Sequence, residues 1–183
     1  MNGDLDLEFN KLIDHITQLQ GELNPFRVEF LDKDKFKLFA DDLYSQVGGY
    51  SEVCITGYFS ETIRGQLERI LAAHKLKLVT HELRNEKRDQ KNLEVMKKLV
   101  KAGAEVRISD RLHARMLLAH YPNVPGWSKL GLLVLGSFDF NVDCIGVERF
   151  DAGIKTNHPD LILEAKKLFE HIWSESKPLK LEE

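Results

Sequence analysis

The stretch "SDRLHARMLLAH" (residues 109–120) sets a histidine and an arginine two apart in an otherwise apolar run. An imidazole can act as a nucleophile or carry a proton near neutral pH. A guanidinium grips phosphate or carboxylate oxygens through two parallel hydrogen bonds. Burying such a cation alone costs several kcal/mol, so Arg115 requires a carboxylate or a bound anion. Side chains on a strand alternate faces. His113, Arg115, Leu117 and Ala119 would share one face, and Leu112, Ala114, Met116, Leu118 and His120 the other. Taken singly, His113 reads as a core histidine on a carbonyl and Arg115 as half of a structural ion pair. Two apart on one face, they point to an anion site.

A second polar set lies in "LVLGSFDFN" (residues 133–141). In an extended chain Ser137, Asp139 and Asn141 face one way, and Phe138 and Phe140 the other. Gly136 would let the backbone come close to a ligand. A hydroxyl, a carboxylate and an amide beside His113 and Arg115 would make a phosphate cradle. The plainer alternative is a polar turn anchored by two aromatic rings.

These residues need a scaffold. Apolar spacing predicts an amphipathic helix over 7–23, a strand over 26–31 and a helix over 33–47. A βαβα series follows: strands at 52–59, 75–83 and 104–109, alternating with helices at 60–74 and 86–103. Such alternation argues for parallel pairing. The strand at 112–120 follows 104–109 too closely for a crossover, which predicts an antiparallel hairpin of those two. Further strands are expected at 130–137 and 146–156. A closing helix runs over 158–173, with Pro159 in its first turn. The fold class is α/β, a mixed sheet with helices on both faces. The organisation reads as an N-terminal helix–strand–helix extension (1–49), a main domain (50–175) and a polar, fraying tail (176–183).

Composition bounds the function. The 183 residues are 43% hydrophobic and 30% charged, with a net charge of −3, so no global basic field coats the protein for nucleic acid. A local phosphate site remains compatible with that. The basic stretch with Arg84, Lys87, Arg88, Lys91, Lys97, Lys98 and Lys101 is either a solvated helix face or a rim guiding a polyanion. Cys54 and Cys144 make no disulfide framework. No C-x-x-C or H-E-x-x-H spacing occurs, so neither metal nor cofactor is expected. The acidic N-terminus lacks a signal-like apolar core, and no apolar run nears the roughly 20 residues that span a bilayer. A cytoplasmic protein without membrane insertion is the expectation.

From "VCITGYF" through "LHARMLLAH" to "LGSFDFN" and "ERFDAGIKTNHPDLILEAKKLFEHIW", the chain resembles the phospholipase D superfamily, marked by H-x-K-x4-D followed by G-S-x-N. The resemblance covers roughly residues 50 to 175 in order and implies a phospholipase D-like half-unit. It implies that His113 is the nucleophile of a phosphohistidine intermediate and that Arg115 stands for the phosphate-binding lysine. Ser137 matches the serine of the second segment. Asp139 falls at its asparagine, with Asn141 two further on, and Asp151 near the acidic residue that orients the histidine. His120 falls at the final aspartate. With one motif per chain, the resemblance implies a homodimer that brings two histidines to one site. The implied substrate is a phosphodiester, nucleic acid before lipid. Two readings stay open: a metal-independent phosphodiesterase or nuclease, and a catalytically weakened phosphate- or nucleic-acid-binding module.

Overall fold

The computed structural model describes residues 26–81, 87–122, 124, 126, 127, 129–140 and 151–180. The helix expected over 7–23, Asn141, Cys144 and Arg84 fall outside them. In chain order the elements are β1 (Val28–Leu31), α1 (Lys33–Asp41), α2 (Leu43–Val47), β2 (Glu52–Thr56), α3 (Glu61–Ala73), β3 (Lys75–His81), α4 (Lys87–Lys101), β4 (Glu105–Ser109), β5 (Arg115–His120), β6 (Gly131–Gly136), β7 (Gly153–Thr156), α5 (Pro159–Glu175) and β8 (Lys177–Pro178).

The strands form a single eight-stranded sheet in the order β1-β7-β6-β5-β2-β3-β4-β8. β2, β3 and β4 run parallel, joined through α3 and α4, as the alternation of elements requires. The remaining pairs are antiparallel. The sheet is therefore mixed, and the central strands β2 and β5 are buried along almost their whole length.

Alternation along those strands splits the core in two. Val53, Ile55, Leu76, Leu78, Leu117, Ala119 and Val134 point toward α1–α4 and meet Phe36, Leu43, Leu67 and Met96. Cys54, Val79, Met116, Leu118 and Leu133 point the other way, onto Ile162, Ala165 and Phe169 of α5. At about 25 cal/mol per Å² of buried apolar area, these two layers supply the main force holding the sheet.

Several expectations change. β4 and β5 do not pair as a hairpin; β5 inserts between β2 and β6. A strand apolar on both faces gains more from two neighbours in the sheet's centre than from one at its edge. The helix over 33–47 breaks at Asp42, whose backbone leaves the helical region. The tail does not fray at its start. Ser176 is buried, and Lys177 and Pro178 pair with the edge of β4. Within the segment read as an N-terminal extension, β1 is hydrogen-bonded to β7 at the edge of the sheet. Among the described residues, no helix is long and apolar enough to cross a membrane.

Candidate active site at one end of the sheet

Strand register decides which side chains can meet. Thr56 at the end of β2 lies opposite Met116, and Arg115 at the start of β5 lies opposite Gly136 at the end of β6. Gly136 in turn lies opposite Gly153 at the start of β7. The ends of β2, β3 and β6 and the starts of β5 and β7 therefore converge on one end of the sheet. The segments 109–115, 137–140 and 151–152 leave from there.

His113 is exposed in an irregular segment just ahead of β5, not within a buried strand. That corrects the expectation that it shares a continuous strand face with Arg115. The segment is held from below. The Thr56 hydroxyl donates to the Ala114 carbonyl at 2.9 Å and accepts the Met116 N–H at 3.1 Å. Arg115 folds back as well, donating from a terminal guanidinium nitrogen to the His113 carbonyl at 3.0 Å. Gly57 follows β2 with φ +150°, a backbone conformation that favours glycine.

The partner that Arg115 requires is Asp139. Arg115 Nε lies 2.8 Å from Asp139 Oδ1, with the side chains 20% and 8% exposed. Asp139 is carried by a segment whose aromatic neighbours bury themselves. Phe138 stacks on Phe36 at 4.1 Å, and Phe140 packs against Phe36 and Phe59. The Ser60 N–H donates to the Phe140 carbonyl at 3.3 Å, joining the loops after β2 and β6. Buried Asn92 of α4 anchors the same region. It accepts the Phe59 N–H at 3.0 Å and donates to the Thr80 hydroxyl at 2.9 Å.

Ser137 and Asp151 form a second unit. The Ser137 hydroxyl donates to Asp151 Oδ1 at 2.8 Å and accepts the Ala152 N–H at 3.2 Å. Asp151, for which the resemblance implies a role in orienting the histidine, accepts this hydrogen bond from Ser137. Gly136 has a different reason from the one expected. A Cβ there would lie 2.6 Å from the Ala152 carbonyl, so the glycine serves close strand packing. Asn141 lies outside the described residues.

Two further aromatic side chains stand at this end of the sheet. His81, at the end of β3, meets His113 edge to face with ring centroids 6.1 Å apart. Tyr58 stacks on His81 at 4.7 Å, and the Arg115 guanidinium lies 5.9 Å from the Tyr58 ring centre. The ends of neighbouring parallel strands β2 and β3 bring them there. His120 is absent from this group. It is buried at the far end of β5, on the face toward α5.

No family model and no curated protein matches the chain. Solved structures do. The chain is similar to Nuc from Salmonella typhimurium, a phospholipase D family member, with 13% identity, a TM-score of 0.63 and coverage of 85% of this chain and 98% of that one. It is similar to NucT from Helicobacter pylori, with 15% identity, a TM-score of 0.63 and coverage of 84% and 99%. It is also similar to TrmBL2, an archaeal chromatin protein whose structure revealed a mode of DNA binding, with 14% identity, a TM-score of 0.54 and coverage of 96% and 64%. At such identities the likeness is one of fold: the chain has a phospholipase D-like α/β fold.

Proposed function

We propose that this phospholipase D-like chain is a metal-independent phosphodiesterase, most like a nuclease, with His113 as its nucleophile. The observation that carries the reading is the exposed His113 imidazole at the sheet end where Arg115 and Ser137 also gather. Fold alone does not specify function; the site must supply the chemistry.

Neutral imidazole attacks phosphorus in line with the leaving oxygen. The P–O bond breaks, the leaving oxygen takes a proton, and a phosphohistidine remains. Water then attacks phosphorus, gives up a proton to a base, and releases the imidazole. Charge on the non-bridging oxygens is met by Arg115 and Asn141, and by Ser137 once its single hydroxyl proton turns from Asp151 to the phosphate. Asp151 holds the Ser137 hydroxyl. The reaction needs a second proton carrier. A second copy of the chain, paired across a two-fold axis, would bring its own histidine; a homodimer is part of the proposal. Nucleic acid in the cytoplasm is the substrate class favoured. Lys91 and Lys101 are exposed on α4, and Lys98 pairs with Glu61 at 3.3 Å; a basic rim there would be local.

A second reading has its own support. The Arg115–Asp139 contact sets a carboxylate against the cation meant for phosphate. A site neutralised in this way suits a phosphate- or nucleic-acid-binding module that has lost turnover. Hydrolysis of DNA and of a generic phosphodiester, with and without chelator, separates the two. Turnover that persists in chelator and is lost in His113→Ala supports the enzyme. Binding without turnover in both proteins supports the module.

A further inference from the structure

A second group of reactive side chains lies at the opposite end of β2 and β5, on the face toward α5. Glu52 and Cys54 are two apart on β2 and share a face. His120 is the direct cross-strand partner of Glu52 on β5. Two residues at i and i+2 with a neighbour across the ladder make a triangle of donors pointing the same way. The edges are Glu52 Oε1 to Cys54 Sγ 3.5 Å, Cys54 Sγ to His120 Nε2 3.8 Å and His120 Nε2 to Glu52 Oε1 3.4 Å. All three residues are buried, at 5%, 0% and 4% exposure.

A tetrahedral zinc ion, with bonds of about 2.3 Å to sulfur and about 2.0–2.1 Å to nitrogen and oxygen, needs donor separations of roughly 3.3–3.6 Å. The triangle already has nearly that size. Hydrogen bonding inside the protein accounts for Glu52, whose Oε1 also lies 3.1 Å from Lys77 Nζ. The ring nitrogen in the triangle is His120 Nε2; Nδ1, on the far side of the imidazole, is not a donor to the ion. Beside the cluster lies a cavity of about 310 Å³, lined among others by Glu52, Lys77, His120, Phe169 and Trp173.

We propose that Glu52, Cys54 and His120 form a zinc-type metal site, with carboxylate, thiolate and imidazole as ligands and the fourth position open to the cavity. The donor set selects a borderline-soft divalent ion over magnesium or calcium. Thiolate and carboxylate together balance its charge. The charged groups facing the site are Lys75, Lys77, Lys166 and Glu170. Lys77 is the competitor, since its ammonium holds the Glu52 oxygen that the ion would take. Its Nζ is also 5.6 Å from the Trp173 ring centre, so the ammonium can withdraw over the indole. The site is separate from the His113 end and takes no part in the proposed hydrolysis.

The test uses the untagged full chain. It is loaded with Zn²⁺ or Co²⁺, desalted, and analysed for bound metal and for thiolate-to-cobalt charge transfer. The expected result is about one equivalent retained with the charge-transfer band, and loss of both in Cys54→Ser. Lys77→Met removes the competing ammonium and is expected to tighten Co²⁺ binding at least about tenfold. That variant also keeps the test sound if Cys54→Ser folds poorly. The proposal is overturned by a wild-type chain that retains no metal, by a band that survives Cys54→Ser, or by Lys77→Met binding no tighter than wild type.

Discussion

Arg115 Nε donates to Asp139 Oδ1 at 2.8 Å, across 24 residues of sequence. These are two of the three positions that depart from the phospholipase D motif, and each is the other's partner. An arginine in place of lysine and an aspartate in place of asparagine make one coupled change. The carboxylate needs a cation, and the guanidinium can hold it while keeping donors for a second anion.

Asp139→Asn therefore unmasks Arg115. Phosphate or a non-hydrolysable phosphodiester should bind about tenfold more tightly or better, in line with ~1.5–3 kcal/mol for a charged hydrogen bond. Binding measured by calorimetry checks this. Weaker binding in Asp139→Asn would mean that the carboxylate aids the ligand and does not compete with it.

Ser137 and Asp151 should behave as one unit, since the serine hydroxyl donates to the carboxylate at 2.8 Å. Ser137→Ala and Asp151→Asn are each expected to lower kcat/KM about tenfold or more, and the double variant scarcely further. Fully additive losses would separate Asp151 from Ser137.

The dimer and His81 give distinguishable outcomes. If the second proton carrier comes from a partner copy, activity per chain falls on dilution through the dissociation of the dimer, as light scattering would follow it. If activity holds on dilution and His81→Gln lowers it about a hundredfold for alkyl leaving groups, the imidazole 6.1 Å from His113 is the carrier.

Much of this was legible before any coordinates. The order of strands and helices carries the parallel β2-β3-β4 unit, because each element's apolar period states its type. His113 and Arg115 stand out as polar residues in an apolar run, and Ser137 and Asp139 as polar residues alternating with two phenylalanines. The place of β5 was not legible. A short connection permits a hairpin with β4, and only the competition of burial at the sheet's centre rejects it. Nor was Asp139 identifiable as the partner of Arg115, since the contact depends on a register between β5 and β6 that the sequence does not state. The contact of His81 with His113 depends likewise on the pairing of the sheet.

Glu52 makes the acid limb of stability measurable. Burial pushes its carboxyl upward, but hydrogen bonds from His120 and Lys77 and their nearby charge outweigh this and hold the pKa at about 2. The folded value lies below the unfolded one. The contribution is therefore complete above about pH 4.5 and is lost as pH falls toward about 2. At 1.36 kcal/mol per unit it is at most about 3 kcal/mol. Urea midpoints across that window should drop in the wild type and flatten in Glu52→Gln. An equally steep drop in both would assign the acid limb to other carboxylates.

Trapping of the covalent intermediate bears most directly on the site. Phosphodiester turnover quenched in alkali, which spares phosphoramidates, and analysed by peptide mass spectrometry should yield a phosphoryl adduct on His113, absent in His113→Ala. Steady turnover with no adduct on His113, or full activity in His113→Ala, would contradict the account.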